Sequence, residues 1–289
     1  PLVILAVSVT LNIAGDLFFI LVVKAGVQGA AVATVLSQTL AFLICWFYMI
    51  RRYEILRLKK EDFFGLERNM MKNMLSAGLS MGLVSSLVNL GTLALQTSIN
   101  RLGRDIIVAH TAARKITEMF MIMFGVFGQT MAIFCGQNAG AGRMDRVKSG
   151  VRCTQVMILV WSVIAMAAVC FGGKYMTWLF IDPSETEVVN VSVLYFRTVF
   201  WCYPFLGSIF LYRNTLQGMG YGLVPMLGGV FELAARSAIV MAAAGRTTFQ
   251  GVCLADPAAW IAALIPLVPY YFYTMRKWKT TETKIQKQI

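Results

Sequence analysis

Charged residues are scarce in this sequence, and histidine and paired cysteines are scarcer still. Only 14% of the 289 residues are charged and 58% are hydrophobic, whereas an ordinary soluble domain carries about 25% charged residues. The composition therefore excludes a soluble class. The only histidine is His110, and none of the six cysteines forms a CxxC pair, so we expect neither a metal site nor a disulfide framework. With no nucleophile–base pair visible, we also expect no enzyme.

The apolar residues are gathered in long runs. Each of about eight runs has the roughly 20 residues that a helix needs to cross a bilayer. The sequence therefore predicts an all-α polytopic membrane protein of about eight transmembrane helices, at approximately residues 2–23, 29–50, 74–99, 106–134, 152–172, 189–212, 223–244 and 251–275.

The net charge of +12 is unevenly distributed between the two predicted sides of the membrane. Alternating the loops between sides puts 17 of the 26 basic residues on the side of loop 51–73, with Arg213 among them, and 5 on the other side. Positive charge collects on cytoplasmic loops. We therefore expect a multi-pass protein of the inner (plasma) membrane with a cytoplasmic C-terminus. Nucleic acid is not an expected partner, because there is no basic face with exposed aromatic residues.

The last two apolar segments resemble a copy of the first two. At a constant offset, four residues recur in identical form: Gln28, Gly29, Ala33 and Tyr48 become Gln250, Gly251, Ala255 and Tyr270. Such repeats are typical of transporters. Four of the eight predicted spans lie between the two copies, so the repeat unit would be six helices. We therefore expect a fragment of a twelve-helix protein whose missing N-terminal helices are partners of this chain. The predicted divisions are 1–50 (last two helices of the N-terminal lobe), 51–73 (cytoplasmic amphipathic linker), 74–275 (complete C-terminal six-helix lobe) and 276–289 (cytoplasmic tail).

Asp16 is the strongest candidate for a functional residue. A carboxylate in the membrane costs at least about 2.5–3.5 kcal/mol on insertion scales, so it normally faces a cavity, an ion or a partner. Asn12 lies on the same helical face, and Thr34 adds a hydroxyl if the first two helices pack side by side. This group would bind Na⁺ through oxygen atoms or hold a proton. The alternative is that Asn12 and Asp16 only fix helix packing.

Two other polar groups lie within apolar runs. Glu232 and Arg236 occupy the corresponding face of the later copy, and their spacing suits a salt bridge. They form either a structural ion pair or a group that handles protons or substrate at a cleft. Asn89, Thr92 and Gln96 form a stripe that either lines a cavity or bonds to neighbouring helices. Near the helix ends, we expect an outward-facing cluster of Arg114, Lys115 and Glu118, and a capping or bending role for Asp256.

Several motifs together resemble those of multidrug and toxic compound extrusion (MATE) transporters. They are Gly136-Gln137-Asn138-Ala139-Gly140-Ala141-Gly142 with Arg146 and Gly150, Leu216-Gln217-Gly218-Met219-Gly220 with Pro225, Glu232 with Arg236, and Asp256-Pro257-Ala258-Ala259-Trp260. The resemblance covers essentially the whole chain, as helices five to twelve of a twelve-helix fold.

The resemblance implies secondary active antiport, in which Na⁺ or H⁺ enters while amphipathic, often cationic, organic compounds leave through a cleft between two lobes. One branch of the family holds its cation with an Asp on helix one, an Asn and an Asp on helix five, and a Thr on helix six. Asn12, Asp16 and Thr34 match the last three, and the helix-one Asp is not in this chain. A second branch uses acids on helices seven and ten, but 74–99 and 189–212 contain none.

The expected partners are small organic substrates and membrane lipid, with no cofactor beyond H⁺ or Na⁺. The principal alternative is a flippase or exporter of lipid-linked oligosaccharide within the same superfamily. Such a protein should line its cavity with several basic residues for pyrophosphate, and only Arg236, Arg197 and Arg114 are candidates. A channel or scaffold would leave Asn12 and Asp16 without a purpose.

Overall fold

The computed structural model describes residues 2–54, 57, 67–243 and 249–286. Every regular element in these ranges is helical. The ten α-helices, with one π-helical and one 3-10 turn between them, are α1 (Leu2–Leu17), the π turn (Phe18–Val22), α2 (Gly26–Arg52), α3 (Arg68–Asn100), α4 (Arg104–Gly140), α5 (Met144–Thr177), α6 (Thr186–Val199), the 3-10 turn (Phe200–Cys202), α7 (Tyr203–Gly218), α8 (Leu223–Ala243), α9 (Phe249–Cys253) and α10 (Ala255–Gln286).

Eight helical segments of the described residues are long and apolar enough to cross a membrane. They coincide with the eight predicted spans, so the prediction of an all-α polytopic membrane protein is confirmed. Several helices extend beyond the predicted spans, as α5 does by beginning at Met144. Hydropathy marks only the apolar part of a helix, whereas backbone hydrogen bonding continues into the polar region.

The chain divides into two compact units, Pro1–Met70 and Met71–Ile289. In the first, α1 and α2 pack closely: a Cβ added to Gly15 would lie 3.0 Å from the Ala33 Cβ. The two ends of the predicted linker 51–73 belong to α2 and α3. The predicted amphipathic helix between them falls almost entirely outside the described residues.

The sixth span is interrupted in the middle of the second unit. Helix α6 ends at Val199, a 3-10 turn follows, and α7 begins with Pro204 in its first turn, a position where the missing N–H of proline costs no hydrogen bond. The ring of Phe200 stacks on that of Tyr203 at 4.1 Å, and both residues are buried. The break therefore lies in the aromatic core of this unit.

Glycines bring α4 and α7 into close contact. A Cβ on Gly218 would collide with the backbone carbonyl of Ala132, and one on Gly136 would lie 2.9 Å from the carbonyl oxygen of Gly218. Small residues at such crossings allow transmembrane helix backbones to approach each other. This contact fixes where α7 lies, and α7 carries one of the charged residues of the site.

The structure corrects the location of Arg213. The charge count placed this residue in a cytoplasmic loop, but α7 continues to Gly218. The Arg213 side chain is only 15% exposed and pairs with Glu232. The predicted span ended at residue 212, six residues before the end of α7, because the arginine lowered the local hydropathy.

Candidate functional site

The first unit contains the predicted group of Asn12, Asp16 and Thr34. The Asn12 Nδ2 donates a hydrogen bond of 3.2 Å to the Thr34 Oγ1, and the Thr34 hydroxyl donates one of 2.9 Å to the backbone carbonyl of Ala30. The structure therefore brings the Asn12 face of α1 against α2. Asp16 lies four residues further along α1, on the same face.

The carboxylate of Asp16 is half-buried and incompletely satisfied. Its Oδ1 atom is buried and has no hydrogen-bond partner among the described residues. Burying an unpaired charged oxygen is costly, so this atom is available to a proton or a cation. The π turn that ends this helical span begins at Phe18, two residues after Asp16.

The second unit contains a chain of alternating charges. Glu232 and Arg236 lie on α8, and their side chains meet at 3.3 Å between Oε1 and Nη2. Each has a further partner on another helix. The Arg213 Nη2 of α7 is 2.8 Å from the second oxygen of Glu232. The Arg236 Nε is 3.1 Å from the Oδ1 of Asp256, on α10.

The chain of charges continues toward the surface. The Arg114 Nη1 is 3.4 Å from the Oδ2 of Asp256, and Arg114 and Lys115 both approach Glu118, at 3.9 and 3.5 Å. Exposure rises in the same direction. The Asp256 side chain is 4% exposed and that of Glu118 49% exposed. The inner pairs therefore lie in a low-dielectric environment, whereas Glu118 and Lys115 form a solvated rim.

Arg236 occupies the centre of the chain of charges, against the backbone of α3. Its Nη1 is 3.4 Å from the Val88 carbonyl oxygen. A Cβ added to Gly91 would be 2.7 Å from the same nitrogen. The guanidinium thus occupies space that any residue larger than glycine would take at position 91.

A cavity of about 100 Å³ lies beside these charges, and Thr92, Thr117 and Trp260 are among its lining residues. Among the described residues, three guanidinium groups border it, those of Arg114, Arg213 and Arg236, together with two carboxylates, those of Glu232 and Asp256. The Nε of Arg213 is buried without a partner among the described residues. The cavity can hold a few water molecules that solvate these groups.

The three polar residues of the stripe predicted on α3 have three different environments in the structure. Thr92 lines the cavity, Gln96 donates a hydrogen bond of 2.9 Å to Asn100 on its own helix, and Asn89 is exposed.

Sequence reasoning missed that Arg213, Asp256 and Arg114 join Glu232 and Arg236. Asp256 was expected to cap or bend its helix; the structure places it in the first turn of α10, and its carboxylate contacts two guanidinium groups. The available signal was their charge: ionisable residues inside apolar spans normally face one another. The sequence does not indicate which of them pair, because they lie on four different helices.

Comparison with known proteins agrees with this architecture. A family model described as MatE matches residues 80–240. The probable multidrug resistance protein YoeA of Bacillus subtilis is 24% identical over 97% of this chain and 62% of its own length. The probable multidrug resistance protein YpnP of the same organism is 27% identical over 76% of this chain and 48% of its own length. The FAD transporter of Shewanella oneidensis is 23% identical over 66% of this chain and 42% of its own length.

Solved structures show the same fold. A MATE crystal structure in the bent conformation superposes with a TM-score of 0.86 at 18% identity, over 97% of this chain and 62% of that one. An outward-facing multidrug resistance MATE transporter gives a TM-score of 0.85 over 96% of this chain and 62% of that one. The chain thus spans less than two thirds of the length of these relatives. Since the family model matches more than half of its residues, the chain belongs to the MatE family, that of multidrug and toxic compound extrusion.

Proposed function

We propose that the full-length protein is a secondary active antiporter that exports amphipathic or cationic organic compounds in exchange for H⁺ or Na⁺. Membership of the MatE family supports this proposal, as do the names of the two Bacillus subtilis relatives, both probable multidrug resistance proteins. The observation that carries it is the buried Oδ1 of Asp16, which has no hydrogen-bond partner in the described part of the chain.

The coupling mechanism starts from the state of this carboxylate. With Asp16 ionised and no cation bound, the buried Oδ1 has neither solvent nor a hydrogen-bond donor from the described residues, which is unfavourable. A proton removes the charge, and Na⁺ provides a hard cation for the oxygen atoms. Because α1 and α2 are tied together through Asn12 and Thr34, loading Asp16 changes how this helix pair packs.

Exchange requires that the cation and the organic compound favour different conformations. A ligand that binds two conformations with equal affinity does not change their relative populations. We infer that the loaded carboxylate favours one access state and that the exported compound binds when Asp16 is unloaded. The Glu232–Arg236 pair then serves as a structural element of the second unit rather than as the coupling site, because each of its charges already has two partners.

Asp16→Asn tests this function in the full-length protein. It keeps the shape of the side chain and removes its charge, so gradient-driven efflux from inverted membrane vesicles should be lost while expression stays normal. Asp105→Asn is the matched control, because Asp105 is an exposed acid in the first turn of α4. Separate Na⁺ and pH gradients identify the coupling ion. Efflux by Asp16→Asn equal to that of the control would remove Asp16 from the mechanism.

The alternative of a flippase for lipid-linked oligosaccharides requires basic residues that are available to pyrophosphate. Two of the three candidates for that role, Arg236 and Arg114, are both paired with Asp256, whereas the third, Arg197, is exposed on α6. Efflux of a cationic dye driven by an ion gradient would support the antiporter. Translocation of a lipid-linked oligosaccharide by the purified protein in liposomes, without such efflux, would support the flippase.

Our proposal places the protein in the plasma membrane with its C-terminus in the cytoplasm. It is supported by the basic residues that follow apolar runs in the sequence, including Arg51 and Arg52 in the last turn of α2 and Arg276 directly after the run 251–275. A C-terminal fluorescent protein, which folds only in the cytoplasm, should be bright, and a C-terminal periplasmic reporter enzyme should be inactive. The opposite pattern would reverse the orientation.

A further inference from the structure

A second cavity, larger than the one beside the chain of charges, lies between α5, α7 and α10. Its volume is about 540 Å³, and its lining residues all belong to the second unit. This volume is within the range of small-molecule sites, about 300–1,000 Å³. Neither the proposed transport mechanism nor the sequence motifs assign a role to it.

One end of this cavity is basic. Lys148 and Arg152 lie four residues apart on α5, so both face the same side of the helix, and Arg276 contributes from α10. Lys148 and Arg152 are exposed, and within the described part of the chain no carboxylate lies within ion-pair distance of either. Their positive charge is therefore available to a ligand.

The other end of the cavity is apolar and aromatic. Val156, one turn beyond Arg152, is 59% exposed, and Phe272, one turn before Arg276, is 52% exposed. Behind them the rings of Tyr212 and Tyr271 lie 5.2 Å apart. Polarity thus changes along one direction, from cationic groups to apolar side chains.

This change of polarity follows the membrane normal. Arg152 and Arg276 lie at the predicted ends of the apolar runs 152–172 and 251–275, whereas Val156 and Phe272 lie at or inside those ends. Helix α5 enters the membrane where α10 leaves it, so the cationic groups of both lie at the same membrane face. A ligand in this cavity would have its charged end at that face and its apolar end among the lipid chains.

We propose that this cavity binds an anionic phospholipid. Its phosphate lies between Lys148 and Arg152, and its acyl chain lies over Val156 and Phe272. Basic pockets between transmembrane helices are known to bind anionic head groups, with each Lys or Arg near the membrane surface contributing about 1 kcal/mol. A soluble anion would use the cationic end alone, whereas an anionic phospholipid uses both the cationic end and the apolar residues beside it.

The test is a lipid titration of the purified full-length protein, followed by native mass spectrometry. Phosphatidylglycerol should bind in preference to phosphatidylcholine. The double substitution Lys148→Gln/Arg152→Gln should weaken phosphatidylglycerol binding about 30-fold, because two cationic contacts are removed. Arg143→Gln is the matched control: Arg143 is exposed near the same end of α5 and does not line the cavity. Its phosphatidylglycerol affinity should stay within about twofold of the wild type.

Two further measurements separate a lipid from a free anion. Val156→Asn, at the apolar end, should weaken phosphatidylglycerol binding about tenfold, since it places an amide against the acyl chain. Glycerophosphoglycerol, the head group without chains, should not displace the lipid at equal concentration. Wild-type affinity in the double variant, or displacement by the head group alone, would overturn the proposal. Because the readout is binding, the result is independent of whether the protein transports drugs.

Discussion

Arg236 is the residue whose removal should most disturb the second unit. Its side chain is 4% exposed, and it contacts Glu232 at 3.3 Å and Asp256 at 3.1 Å. Removing one member of a buried ion pair costs about 3–5 kcal/mol, because a charge is left in low dielectric without its partner. In Arg236→Met, Glu232 keeps only Arg213 and Asp256 keeps only Arg114, so we expect a destabilisation in this range.

Thermal unfolding of the purified full-length protein in detergent, followed by tryptophan fluorescence, measures the effect. With about 2–4 °C per kcal/mol for a cooperative unit of about 150–250 residues, the range in which the second unit falls, Arg236→Met should lower Tm by roughly 6–20 °C. Arg104→Met makes the same chemical change at an exposed position at the start of α4 and should leave Tm within about 2 °C of the wild type.

A double-mutant cycle isolates the pair itself. Asp256→Asn removes one charge that Arg236 neutralises, so the double variant Arg236→Met/Asp256→Asn should lose less stability than the sum of the single variants. Residues in contact typically show coupling of about 0.5–3 kcal/mol. If Arg236→Met unfolds at the same temperature as Arg104→Met, or if the two single effects are simply additive, the contact between Arg236 and Asp256 does not stabilise this unit.

Three further predictions concern the surroundings of the two candidate groups. Gly91→Ala places a Cβ 2.7 Å from the central guanidinium and should cost about 1–3 kcal/mol, whereas Gly82→Ala on the same helix meets open space and should be neutral or slightly stabilising in the same thermal assay. Glu118→Gln should change stability by less than about 1 kcal/mol, because its ion pairs lie on the exposed rim; a larger fall in Tm would show that the rim contributes as the interior does. Thr34→Val removes the acceptor of the Asn12 hydrogen bond, worth about 0.6 kcal/mol between transmembrane helices, and should reduce ion-driven efflux without lowering the amount of protein in the membrane. Unchanged efflux would show that the hydrogen bond between Asn12 and Thr34 is not required for ion coupling.

The sequence alone determined the eight membrane spans and the family. Both depend on local information. The family is indicated by short sequence motifs. The spans follow because an apolar run of sufficient length must form a helix in lipid, where only a helix satisfies its own backbone hydrogen bonds. The pair formed by Glu232 and Arg236 was also predictable, since residues four apart on one helix are neighbours whatever surrounds them.

Only the tertiary structure decided what surrounds that pair. Arg213 was expected in a loop and Asp256 as a residue that caps or bends its helix, yet both contact the pair from other helices. Helices α8 and α10 pack closely, since a Cβ on Gly228 would lie 3.3 Å from the Leu267 side chain. Similarly, the sequence contained Lys148, Arg152, Val156 and Phe272 but not the cavity that they share. Spacing along the chain specifies which side chains share one helical face, whereas packing of separate helices specifies which faces meet.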